Sequence, residues 1–496
     1  MIDTITMRGP GGKSRGPRPR PSASGGILAK ITEYGLLGLL IFSPLPAGSV
    51  YEWSILTIQL AVLVMFMAYV LRRQKPQNDG SLTAALKWPS HLFTWFIVFV
   101  FIQFIPLPKF LIHLFSPGAY DFQKSYCVDF SGTKFMSFSL IPSFTFQKML
   151  ELLAYFLLGF LVLKTVTKRR QFIRIFSVLV AVGIFEAFYG MFEFYNRNPR
   201  ILFFKKIHNL DSVTGTFVNR NHLSGYLEMI IPLAMGLIMA RINLFSVSHL
   251  TFRERLLRLG EKGLASNLLT GLGIVLMAVA IVFSKSRSGV FILIFMFILF
   301  FGLTSMYFGI PVFRRKRIRT FLQVAFIIII LISLYIGIDS MLQRFSLDRI
   351  LSEGRPVYWL NTMRTFSDYP LFGTGLGTFG ALYPNMEGEA GPLALVHAHN
   401  DYLEYLSELG LVGFSLLLGG ILFMGIVSFV IWRTRRHPEV KGLALGGIVS
   451  LLAILIHSIT DFNLHIPANM VLFTVVLSLT MALAFYKRGA APAEKP

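Results

Sequence analysis

The chain has 496 residues, 54% of them hydrophobic and 15% charged, with 48 Phe. That composition excludes a soluble globular protein and points to an all-α polytopic integral membrane protein with membrane lipids among its partners. The formal net charge of +22 does not make it a nucleic-acid binder, because no basic patch interleaved with aromatic or polar groups stands on a soluble domain.

Residues 1–27 are basic and rich in Gly, Pro and Ser, as in a disordered cytoplasmic tail. Stretches apolar enough to cross ~30 Å of hydrocarbon follow at 28–46, 53–71, 89–107, 148–166, 171–194, 222–240, 267–284, 288–308, 320–338, 409–432, 442–460 and 466–486. The expectation is therefore twelve transmembrane helices, nine within 28–338 and three within 409–486, with a large external loop at 339–408 and a second cytoplasmic tail at 487–496. A loop that long is expected to contain short helices of its own.

Lys and Arg support this count by gathering on alternate flanks, as cytoplasmic loops do. The groups are Arg72, Arg73 and Lys75; Lys168 to Arg170; Arg253, Arg255 and Arg258; Arg314 to Arg319; and Arg433, Arg435 and Arg436. The net charge is thus mainly a topology signal. The first apolar stretch ends in Pro46-Ala47-Gly48-Ser49, which keeps a cleaved signal peptide as an alternative. Cys127, the single cysteine, can form no intrachain disulfide.

The long connections, 108–147, 195–221 and 339–408, all fall outside, so function is expected there. Within the last, Gly375-Leu376-Gly377-Thr378-Phe379-Gly380 matches a dinucleotide fingerprint in letters only. That fingerprint requires a preceding strand, a following helix and a βαβ unit, whereas this run sits in an external loop, and its glycines read as tight turns or close backbone approach. Glu186 and Glu228 lie inside expected spans, where ionisable groups usually face a cavity or a partner. They keep a glycolipid transporter as a rival reading, though no internal repeat accompanies them.

The polar run His397-Ala398-His399-Asn400-Asp401, with Glu404, Glu408, Gly410 and Gly413 beyond it, is the expected seat of chemistry. Imidazole titrates near neutrality, so His399 is the candidate general base and His397 a second candidate for support. Asn400 or Asp401 is expected to cap a following helix, with Asp401 and Glu404 spaced as a capping box. Asp401, Glu404 and Glu408 share one helical face, and read first as solvated or capping acids, with orientation of a histidine as the alternative. Metal binding is not expected, since the two histidines lack a matching cluster elsewhere in the sequence. Gly410 and Gly413 suit close helix packing. His457, Asp461 and His465 form another polar cluster at the outer end of the eleventh span, either supporting the site or serving packing.

The His-Asn pair, followed by nine residues, a Gly, two residues and a Gly, resembles the signature of the O-antigen ligase family, which also includes O-antigen polymerases and protein O-oligosaccharyltransferases. Arg355-Pro356-Val357-Tyr358-Trp359 through Phe379, Gly215 through Leu223, and Ser284-Lys285-Ser286-Arg287-Ser288-Gly289 are also similar to family motifs. The resemblance implies a glycosyltransferase of the bacterial inner membrane whose active site faces the periplasm. It would use a lipid-linked oligosaccharide donor, undecaprenyl diphosphate-linked O-antigen, and lipid A core or another glycan as acceptor, with no cofactor and a metal-independent inverting mechanism. Arg287, Arg220 and Arg355, with Lys285 as a weaker candidate, would bind the donor's diphosphate. Guanidinium forks suit phosphate oxygens and keep their charge. Lys205 and Lys206 are weaker candidates still.

Overall fold

A computed structural model describes residues 23–72, 80–127, 129–196, 200–241, 262–307, 354–386 and 396–486. Its helices are α1 (Ala23–Phe42), α2 (Glu52–Leu71), α3 (Gly80–Phe104), α4 (Lys109–Phe115), α5 (Pro117–Tyr126), α6 (Pro142–Thr165), α7 (Arg169–Tyr195), α8 (Arg220–Arg241), α9 (Lys262–Phe283), α10 (Arg287–Tyr307), α11 (Arg355–Asp368), α12 (Phe379–Met386), α13 (Asp401–Thr434), α14 (Pro438–His457) and α15 (Pro467–Phe485). Two antiparallel ribbons, Leu107–Pro108 with Phe135–Met136 and Arg200–Ile201 with Phe204–Lys205, are the sheet structure of the described residues.

The chain is thus an all-α polytopic membrane protein. Eleven of the twelve expected spans coincide with a helix; the remaining one, 320–338, and the C-terminal tail lie outside the described residues, and α1 begins at Ala23, inside the tail expected over 1–27. Ten of the described helices are long and apolar enough to cross a membrane. Prolines in the first turns of α6, α14 and α15 start those helices at no hydrogen-bond cost. Several expected boundaries move, among them the starts of α3 (Gly80 rather than 89) and α6 (Pro142 rather than 148), and two of the shifts have a visible cause. The first helix ends at Phe42 rather than residue 46, because Pro44 and Pro46 carry the chain into a buried turn where Gly48 meets Phe217 and Ile466. The tenth span begins at Asp401 rather than 409, because its polar first turns are satisfied by protein, which hydropathy does not register.

The centre of the bundle is α8, α14 and α15, whose apolar windows are 83%, 83% and 94% buried, against 28% for α2 and 22% for α3 at the periphery. α8 and α14 meet backbone to backbone. A Cβ on Gly236 would stand 2.6 Å from Gly442 O, and one on Gly446 2.6 Å from Pro232 O. With no hydrophobic force between helices in lipid, such close approach is what small residues contribute. Ion pairs of Arg174 with Glu33 and of Arg169 with Glu439 join α1, α7 and α14 at the end where the basic flanks gather.

At the opposite end, α13 is broken at Gly410, whose φ of 62° and ψ of −176° interrupt the helix. The break frees carbonyls among buried residues, and each needs a donor. Glu408 O accepts from Gln103 Nε2 (3.0 Å) and Gly375 N (3.0 Å), while Ser407 O accepts from Thr374 N (3.0 Å). The glycine-rich segment 370–378 is therefore a backbone patch on a broken helix. Gly373 and Gly410 come so close that a Cβ on either would overlap the facing main chain. Phe372 stacks on Phe138 (3.9 Å, 4°) and on Phe99 (5.5 Å, 12°), pinning the patch to the segment before α6 and to α3.

Candidate functional site

The site is built on the turn between α14 and α15, residues 458–466. Asn400 caps α13, its side chain accepting from Tyr402 N (3.0 Å) and Leu403 N (3.1 Å). His399 immediately before it has a φ of 52°, a left-handed conformation in which a non-glycine residue is uncommon. This turn of the chain aims the imidazole at Asp461, with Nδ1 and Oδ1 3.1 Å apart. Asp461 is 1% exposed and takes further donors from Phe462 N (2.9 Å) and Asn221 Nδ2. His222 Nε2 lies 3.9 Å from the same carboxylate. Burial alone would raise the Asp461 pKa, but the hydrogen bond with His399 and the charges of His222, His399 and Arg355 outweigh it and hold the carboxyl below its usual range.

An ionised carboxylate on Nδ1 fixes a tautomer: Nδ1 carries the proton, and Nε2 has its lone pair free to accept one. Phe462 maintains the arrangement by touching three imidazoles. His397 stacks on it (4.2 Å, 19°), while His399 (4.9 Å, 74°) and His222 (4.6 Å, 77°) approach edge-on.

One arginine and the chain neighbours of two others bond this turn. Arg355 Nη1 donates to Thr460 O at 2.9 Å. Ser288, next to Arg287 at the start of α10, shares a hydrogen bond of 2.8 Å with Thr460 Oγ1. Asn221, next to Arg220 at the start of α8, donates to Asp461. The turn 284–289 and the first turn of α8 are also joined directly, by Ser224 Oγ and Ser284 Oγ at 2.8 Å. The candidate lysines are differently placed. Lys285 Nζ pairs with Asp211 at 3.1 Å. Lys206 is buried, bonded to Glu193 (3.1 Å) and Ser212 O (2.8 Å), and so is withdrawn from any donor phosphate. Burial lowers its pKa, opposed by the Glu193 charge.

The acids of α13 do not form the expected capping box or a solvated face. Asp401 lies inside the first turn and accepts from Leu464 N (3.0 Å), with His465 Nδ1 2.7 Å away. Glu404 accepts from Ala398 N (2.8 Å) and meets His397 Nδ1 at 2.7 Å. Glu408 accepts from Phe379 N (2.9 Å). All three are buried, because the 458–466 turn and the 375–379 segment cover that face. His465 is the centre of this second group, its Nε2 3.3 Å from Glu404 Oε1. Burial opposes a charge there, yet Glu404 and Asp401 raise its pKa to about 9. The sequence offered no partner for a ligand set at the two histidines; the fold supplies Glu404 and His465.

The two acids behind the transporter reading also have protein partners. Glu186 accepts from Thr216 N and Thr216 Oγ1, both 2.9 Å, fixing the turn at Gly215. Glu228 pairs with His457 Nδ1 at 2.9 Å in the bundle interior.

Asp461 as the partner of His399, and Asn221, Ser288 and Thr460 as links to the arginines, are what sequence reasoning missed. Their only signal was polarity at the ends of apolar spans. Residues 272–418 match the family model described as O-antigen ligase, a range that contains Arg287, Arg355 and His399 and stops short of Asp461. No curated protein matches the chain.

Proposed function

We propose, from the match of residues 272–418 to the O-antigen ligase family model, an inner-membrane glycosyltransferase that moves a glycan from undecaprenyl diphosphate to a hydroxyl of lipid A core. The observation that carries the reading is the convergence on one turn: Asp461 takes His399, Thr460 takes Arg355 and Ser288, and Asn221 bonds Asp461. A base beside three guanidinium-bearing segments suits attack by a hydroxyl and departure of a diphosphate.

In the proposed step, His399 Nε2 removes the acceptor proton as the acceptor oxygen bonds the anomeric carbon. The carbon's bond to the diphosphate oxygen breaks on the opposite face, inverting the configuration. The departing charge is met by Arg220, Arg287 and Arg355, and the imidazolium is stabilised by Asp461 until its proton passes to water. No metal takes part in these bonds. The domain plan that goes with this reading puts the catalytic loop, 339–408, in the periplasm and both tails in the cytoplasm, with the basic flanks of α7 and α14 at the far end in support.

The test is reconstitution of the full chain with a polyprenyl diphosphate-linked oligosaccharide and three separate acceptors: lipid A core, a second lipid-linked glycan, and a peptide. A glycosylated lipid A core, absent with His399→Ala, is the expected product. A lengthened lipid-linked glycan would make the protein a polymerase and a glycopeptide a protein O-oligosaccharyltransferase. Movement of the donor across the bilayer with no product would overturn the transferase reading in favour of a transporter.

A further inference from the structure

His465, beside the site, has one ring nitrogen that faces a carboxylate with no hydrogen bond between them. Its Nδ1 is committed to Asp401 Oδ1 at 2.7 Å, while Nε2, buried and without a hydrogen-bond partner, faces Glu404 Oε1 at 3.3 Å. Glu404 Oε1 also lies 2.7 Å from His397 Nδ1. Two carboxylates, each 1% exposed, thus act on one imidazole, and what fits between Nε2 and Oε1 is a proton or a metal ion.

We propose that His397 Nδ1, Glu404 Oε1 and His465 Nε2 hold a divalent transition-metal ion of zinc's class. The three ligand atoms lie within 4.8 Å of one another. Bonds of about 2.1 Å in a tetrahedron separate ligand atoms by about 3.4 Å. The His465–Glu404 edge of 3.3 Å is close to that length, and the His397–Glu404 edge of 2.7 Å needs to open by roughly 0.7 Å. Two imidazoles and one carboxylate suit zinc, whereas magnesium and calcium require mostly oxygen ligands.

The surroundings have the features of a built ligand set. Asp401 on Nδ1 orients His465 and raises its basicity, the usual role of a carboxylate behind a metal-bound histidine. Tyr405 stacks on the His465 ring (4.3 Å, 23°) and Phe462 on His397, so both ring planes are set. The His397 side chain is 25% exposed, which leaves the fourth position open to water.

The ion would join three segments: the chain before His399, the first turns of α13, and the turn that carries Asp461. It would position the His399–Asp461 pair without touching the sugar. The proposal does not depend on the glycosyl-transfer reading, because its test measures binding alone.

The full chain, purified in detergent through chelator-treated buffers, is to be loaded with zinc, desalted and analysed by mass spectrometry. Cobalt(II) loading is followed in parallel by visible absorption. We expect one zinc per chain, four-coordinate cobalt bands displaced by zinc, and a rise in Tm on zinc addition. His465→Gln and Glu404→Gln lose all three responses, and His399→Ala keeps them. Wild type that takes up neither ion and whose Tm ignores both would overturn the proposal and leave a proton on His465 Nε2 as the bridging charge. Zinc retained by a folded His465→Gln would overturn the assignment of ligands. If the variants do not fold, cobalt titration and zinc displacement of the wild type decide alone.

Discussion

Asp461→Asn isolates what the carboxylate contributes to His399, and the hydrogen-bond partners determine how the new amide sits. Asp461 Oδ1 accepts from Phe462 N and faces His399 Nδ1, and Oδ2 accepts from Asn221 Nδ2. The two donors at the Oδ1 position keep the amide oxygen there, and the Asn221 amide turns over to accept from the new NH2 group. The geometry and tautomer of His399 then survive, and only the negative charge is lost. A hydrogen bond to a charged group contributes about 1.5–3 kcal/mol, and each 1.36 kcal/mol is about tenfold in rate. The expected result is a fall of about 10- to 100-fold in kcat with the donor KM unchanged or lower, because Arg355 loses a neighbouring carboxylate. Steady-state transfer in proteoliposomes measures both constants, with circular dichroism and Tm as folding controls. In a His399→Ala background the same substitution should cost almost nothing further, because the two residues act as a unit. A folded Asp461→Asn protein within about threefold of wild-type kcat, or one equally impaired with and without His399, would refute the orientation of His399 by Asp461.

Arg287→Lys and Arg355→Lys keep the charge but lose the planar fork, so each should raise the donor KM and lower kcat, together by about tenfold or more in kcat/KM; the assay is transfer at varied donor concentration. Lys206→Met breaks the buried pair with Glu193, whose side chains are 1% and 2% exposed, leaving an uncompensated acid at a cost of about 3–5 kcal/mol. Tm in detergent should fall while the donor KM holds; a raised KM with unchanged Tm would return Lys206 to the phosphate site. Gly410→Ala demands a backbone conformation reserved for glycine, at a cost of about 1–3 kcal/mol, and drives a methyl into Leu371. It should lower Tm and open the 370–378 segment to protease; unchanged proteolysis would mean that α13 tolerates a straight helix.

The difference between what was legible and what was not follows the sequence distance of the physics involved. Apolar runs, the His-Asn motif and the shared face of Asp401, Glu404 and Glu408 are local, and the positions of the helices followed from them. What covers that face is not local. Glu408 meets Phe379, Asp401 meets His465, and His399 meets a carboxylate 62 residues further on. Periodicity can state that three acids look the same way, but not whether they look at water. Lys206 and Arg355 show the same limit for cations. Both lie in segments that the sequence pattern puts on one side, and only packing separates one buried against Glu193 from one bonded to the turn beside Asp461.

Cost is the signal that could have shifted the balance. The segment from His457 to His465 ends one almost wholly buried span and begins another, so every polar side chain in it must find a partner within the protein. Counting donors and acceptors there gives three ionisable groups, His457, Asp461 and His465, with few partners of their own. The nearest unspent polar set on the same side of the membrane is the run from His397 to Glu408. The pairing of the two segments was therefore implied by hydrogen-bond satisfaction before any coordinate, although the individual pairs His399–Asp461 and Asp401–His465 depend on how α13 and α14 are aligned.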